Sequence, residues 1–240
     1  MTVKEALKTN AEKVFYDHYG KKIIVEFVSD VVLRGNEIGA NDKNVKTVYS
    51  STHYTGMFIP ETENHCTYIL AEDGRSDCDT VITVFHELQH TIDYYRFLSL
   101  FDNNQEKMIN SNIYYTFQIY SEFMAEQFGI AMFFDSCFTE KDKQEKIKII
   151  LDTYIPVYND FSDVHDKYEC IIHSVQYLGI LYACAKYDNE FDLTAHIGKM
   201  FGLQDLKEII LALLDDYHNF DIEWFQNFDK ICREAMQLGC

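Results

Sequence analysis

Two histidines four residues apart, with a glutamate directly after the first, stand in the stretch His86-Glu87-Leu88-Gln89-His90. On a helix, residues at i and i+4 share a face, so both imidazoles can reach one divalent cation. This is the HExxH arrangement, in which the two His bind Zn²⁺ and the Glu acts as general base on a metal-bound water. With nine His in the chain, random ordering would give the pattern in roughly 0.02 of sequences of this composition, so coincidence is a poor account of it.

Such a site needs a third protein ligand and one open position. Downstream, Glu122 and Glu126 lie one helical turn apart in SNIYYTFQIYSEFMAEQFGIAMFF, a helix that Asn110 or Ser111 would cap. Either carboxylate could reach the metal. Glu122 is the better candidate, because Ala125 and Gly129 follow it at i+3 and i+7 and let its helix approach the motif helix closely. Glu126 then becomes a neighbour that steadies a ligand. Asp93 lies on the same side of the helix as His90. It could accept a hydrogen bond from an imidazole N–H, or be an ordinary surface Asp. His173, in ECIIHSVQYLG, is the candidate partner for a developing oxyanion. A hydrogen-bonded core histidine is the plainer reading of it, as of His53, His65, His165, His196 and His218.

The elements that must hold these groups can be read from periodicity. From Thr80 the chain runs TVITVFHELQHTIDYYRF, with Ser76, Asp77 and Asp79 ahead of it as N-cap and first-turn residues. Val81, Val84, Phe85, Leu88 and Ile92 recur at three- and four-residue intervals, which predicts a helix buried over much of its circumference. Before it, KKIIVEFVSDVVL reads as a strand, or as a strand with a turn after Asp30, and KTVYSS, TGMFIP and CTYIL read as further short strands. The first twenty residues read as an amphipathic helix ended by Gly20. After about Glu140 the chain is helical again, through EKIKIILDTYI, FSDVHDKYECIIHSVQYLGILYACAKY, EFDLTAHIGKMFG, LQDLKEIILALLDDY and DIEWFQNFDKICREAMQ, with Pro156 the one strong breaker.

HELQH followed by SEFMAEQFG resembles the gluzincin clan of zinc metallopeptidases, in the compact form typified by ImmA/IrrE-type proteins. The resemblance covers Gly56 to Gly129, about a third of the chain. It implies His86, His90 and Glu122 as zinc ligands and Glu87 as base. It also implies that a strand just before the metal helix pairs with an extended substrate, a place that CTYIL (Cys66 to Leu70) occupies; the residues themselves fit an interior strand equally well. The metzincin pattern is absent, since Arg96 stands where its third His would be.

The balance of 21 basic against 39 acidic residues gives a net charge of −18. Such a surface repels phosphate backbones and anionic membranes, which argues against nucleic-acid and membrane partners. No window is apolar enough to span a bilayer, and no apolar stretch follows Met1 as in a secretory signal. Seven cysteines lie singly, without a CxxC pair, as expected of reduced thiols in the cytoplasm.

The expectation is thus an α+β protein, mostly helical, with a small zincin-like sheet beside the HExxH helix and a helical C-terminal region. Residues 1–137 would form the metal-binding part and 138–240 a helical subdomain packed on it, or 1–240 one single domain. The expected function is zinc-dependent hydrolysis of a peptide bond in a peptide or protein substrate. The alternative is a zincin-like binding or regulatory module that docks a partner and hydrolyses little.

Overall fold

The computed structural model describes residues 1–39, 55–136, 143–159, 167–197, 206–216 and 220–238. The KTVYSS segment, His53, His165 and His218 lie outside them. The fold is α+β and mostly helical. Helix α1 (Val3–Tyr19) begins at a Thr2 cap reciprocated by Glu5 and ends at Gly20, whose φ of 63° is the left-handed conformation glycine adopts freely. Strand β1 (Ile23–Val28) follows, and then α2 (Val31–Gly39), where the sequence suggests more strand. The reason is local: the Asp30 carboxylate accepts from the Leu33 N–H at 2.8 Å. That side-chain cap starts a helix which the β-branched Val31-Val32 pair disfavours only weakly.

Strands β2 (Gly56–Ile59) and β3 (Thr67–Glu72) complete a three-stranded sheet in the order β1-β3-β2. β1 runs parallel to β3, with Ile23 opposite Thr67, while β2 runs antiparallel, with Phe58 opposite Ile69. Among the described residues CTYIL is therefore an interior strand, with β1 and β2 on its two sides. Apolar side chains on both faces of β3 account for this: Ile69, Leu70 and Ala71 are all essentially inaccessible, so helices must cover both sides.

Helix α3 (Asp77–Ser99) carries the motif and starts at Ser76, whose hydroxyl accepts from the Asp79 N–H. A one-turn helix α4 (Gln105–Ile109) precedes α5 (Tyr114–Ser136), which runs antiparallel to α3. The direction shows in three successive contacts. Phe97 stacks on Phe117 at 4.2 Å between centroids, His90 meets Ser121, and Gly129 lies against Ile82. α6 (Lys143–Asn159) continues past Pro156, and α7 (Lys167–Tyr187) packs closely on α5. α8 (Leu193–Ile197), α9 (Lys207–Asp216) and α10 (Ile222–Leu238) complete the described chain.

The apolar core ignores the boundary near residue 137. Its largest cluster extends from Leu7 and Phe15 in α1 through Val84, Leu88, Phe97 and Phe123 to Phe225 and Phe228 in α10. A second joins Ile82 and Ile130 to Ile147 of α6 and Ile180 of α7. Burying each such side chain contributes about 1.5–3 kcal/mol, so these clusters tie α3 and α5 to the C-terminal helices. No helix among the described residues is long and apolar enough to cross a membrane.

Candidate metal centre

Three side chains from α3 and α5 converge. The Nε2 atoms of His86 and His90 are 2.9 Å apart, and the Glu122 Oε2 atom is 3.9 Å from the first and 3.7 Å from the second. A point equidistant from these three atoms lies about 2.1 Å from each, the bond length that first-row divalent ions form with imidazole and carboxylate. The three thus form a group close enough to hold a metal ion. Their side chains are 15, 17 and 25 % exposed, so the group is sheltered but reachable.

Helix α5 supplies more than the third donor. Ser121 Oγ is 2.8 Å from His90 Nδ1, and an Nδ1–H donated to it leaves the Nε2 lone pair facing His86 and Glu122. Glu126 Oε1 stands 3.7 Å from His86 Nδ1, the ring nitrogen turned away from the cluster. Glu122 and Glu126 therefore occupy opposite sides of the His86 ring, and only Glu122 joins the group. The helix can come this near because Gly129 faces α3: a Cβ there would lie 2.9 Å from the Ile82 carbonyl oxygen and 3.5 Å from His86 Cβ.

Glu87 lies against β2. Its carboxylate accepts a hydrogen bond from the Phe58 N–H, and a Cβ at Gly56 would come within 2.7 Å of its Oε1. Burial pushes this carboxyl up to about 7, the Glu122 charge adding to the effect while His90 and the Phe58 N–H oppose it. Burial likewise holds His86 down at about 3, helped by the charge of His90. His90 moves the other way: burial opposes its charged form, but the charge of Glu122, their hydrogen bond, and Glu87 and Asp93 raise it to about 9. For Glu122, burial is outweighed by His90, His86 and a hydrogen bond from Gln176, which hold it at about 2. In the metal-free protein one imidazolium and one carboxylate thus form an ion pair, with the second imidazole neutral.

Asp93 is neither a surface residue nor an acceptor for an imidazole. It is wholly inaccessible, and its Oδ1 accepts from Gln89 Nε2 at 2.9 Å. Gln89 lies closer around the helix to Asp93 than His90 does, and the hydroxyl of Ser121 already serves the His90 Nδ1. His173 lies on α7, with its Nδ1 3.2 Å from the amide oxygen of Gln176, whose Nε2 donates to Glu122 Oε2 at 2.7 Å. His65 bonds the Cys66 carbonyl and His196 that of Asp192, but neither is a core histidine: both are only half-buried. Gly56, Ser121 and Gln176 were not apparent as site residues from sequence; Gln176, spaced i+3 from His173 on an otherwise apolar helix, carried the one available signal.

No protein-family model matches the sequence, and no curated protein and no solved structure matches it either.

Proposed function

We propose that this chain is a zinc-dependent hydrolase of peptide bonds, with His86, His90 and Glu122 as ligands and Glu87 as general base. The observation that carries the reading is the triangle of donor atoms, whose common distance of about 2.1 Å suits Zn²⁺ bound by two imidazoles and a carboxylate. When bound, the ion supplies a Lewis acid that acidifies its water and polarises a carbonyl oxygen. Glu87 takes the proton from the attacking water on its carboxylate and passes it to the nitrogen of the leaving amine. A carboxyl pushed up to about 7 is matched to that exchange near neutral pH. The likeness to gluzincins in HELQH and SEFMAEQFG supports the same assignment. A cytoplasmic setting belongs to this proposal, supported by seven cysteines that lie singly in the sequence without a CxxC pair.

A zinc-stabilised binding module is the second reading. It is favoured by Glu87 being only 8 % exposed and already engaged by the Phe58 N–H. Zinc-loaded wild type and Glu87→Gln, assayed on a pool of quenched fluorescent peptides, separate the two. The hydrolase predicts equal zinc content and turnover in the wild type alone; equal cleavage by both proteins removes Glu87 as base, and cleavage by neither supports the module.

A further inference from the structure

α5 packs on two helices, and besides α3 it meets α7 with almost no gap. A Cβ on Gly179 would stand 2.5 Å from the Phe123 carbonyl oxygen, 3.0 Å from Glu126 Cβ and 3.1 Å from the Gln127 backbone nitrogen. Only a glycine permits that approach. One turn earlier on the same face of α7, Gln176 reaches Glu122. Its Nε2 donates to Oε2 at 2.7 Å, and this is the very oxygen that faces His86 and His90.

The amide can do this in one orientation only. An ionised carboxylate accepts and never donates, so the NH₂ end must point at Glu122. The other end, Oε1, can only accept, and the His173 Nδ1 at 3.2 Å is positioned to donate to it. Turned over, the amide would set its own oxygen against the carboxylate oxygen of Glu122. The Glu122 carboxylate thereby fixes which end of the amide faces it, the His173 tautomer with Nδ1–H anchors the other end, and Gln176 so held limits the rotamers of Glu122. A glutamate side chain has three rotatable bonds, and an outer hydrogen bond that removes its alternatives leaves the donor oxygen prearranged for an ion.

Resting on the metal-binding reading of the site, we infer that Gln176, anchored by His173, is a positioning residue for the Glu122 carboxylate, so that helix α7 sets the metal affinity of a site whose ligands lie on α3 and α5. The test uses the full chain, stripped with a chelator. Zinc dissociation constants come from competition with a chromophoric chelator, and the visible bands of the Co²⁺-loaded protein report ligand geometry. Gln176→Met removes both hydrogen bonds with little change of shape and should weaken zinc binding about ten- to a hundredfold, with shifted cobalt bands. His173→Phe should act in the same direction by a smaller factor, and it carries the test alone if Gln176→Met does not fold. A residue that merely links two helices would lower the melting midpoint and leave zinc affinity and the cobalt spectrum as in the wild type; that result overturns the inference. Glu122→Ala distinguishes the two levels. Zinc lost in Glu122→Ala but held normally in Gln176→Met strikes the positioning role alone, whereas equal zinc in Glu122→Ala and wild type, or none in either, strikes the metal reading and the inference with it.

Discussion

Asp93 offers a direct measure of how the motif helix is buried. Its carboxyl has no accessible surface, its Oδ1 accepts from Gln89, and its Oδ2 has no hydrogen-bond partner among the described residues. Burial raises it from 3.8 to about 7, against the opposing pull of the Gln89 hydrogen bond and of the His90 and Arg96 charges. A group whose folded-state value lies above its unfolded one contributes stability that is complete below the unfolded value and is lost as pH rises through the folded one. For Asp93 the window runs from about 4 to about 7. Asn at this position keeps the shape and stays neutral throughout, so Asp93→Asn should match the wild type at the acidic end and exceed it above neutrality. With each unit worth about 1.4 kcal/mol, the advantage should widen by about 3 kcal/mol between about pH 5 and about pH 8. Urea unfolding of the chelator-treated proteins at several pH values measures it. An advantage that does not change with pH, or a variant less stable than the wild type at the alkaline end, would refute the claim that Asp93 is held as the neutral acid.

Two further outcomes follow from the same geometry. Because His90 is raised to about 9, first against burial and then through Glu122, the metal-free protein holds a proton that zinc must expel; affinity should climb about tenfold per pH unit up to about pH 9. Calorimetry in buffers of different ionisation enthalpy counts that proton, and a count near zero at neutral pH would contradict the ion pair. Gly56→Ala brings a methyl group within 2.7 Å of Glu87 Oε1 and 2.6 Å of Thr83 Cγ2, so the carboxylate must move; peptide turnover should drop at least about tenfold with zinc affinity nearly unchanged, and an unchanged rate would show that the base tolerates the shift.

The features legible in the sequence are those written in local spacing. The histidine pair, the Ser76 cap and the preference for Glu122 all follow from i, i+3, i+4 and i+7 relations, and Gly129 does meet α3 as its spacing to Glu122 suggests. The features missed depend on segments far apart. The burial of Asp93 arises because α1 closes over that side of α3, where the Tyr19 hydroxyl donates to the Ile92 carbonyl oxygen. Whether CTYIL is an edge or an interior strand was open in the sequence, because that depends on β1 lying parallel to β3, which no turn signal encodes. Gln176 meets Glu122 across 54 residues. Helix α2 is the exception: Asp30 was visible beside a β-branched run, and the cap proved stronger than the propensity.

Gly129 on α5 and Gly179 on α7 carry a lesson for anyone who would cut this molecule. Every candidate ligand precedes residue 137, which invites expression of that half as a minimal metalloprotein. Severed there, α5 would turn Ile130, Phe133 and Phe134 to water, and the Gly179 notch that fits its backbone would be gone. The half that holds the donors is thus not a detachable cassette, and a graft of the motif into another scaffold would have to bring the third helix along.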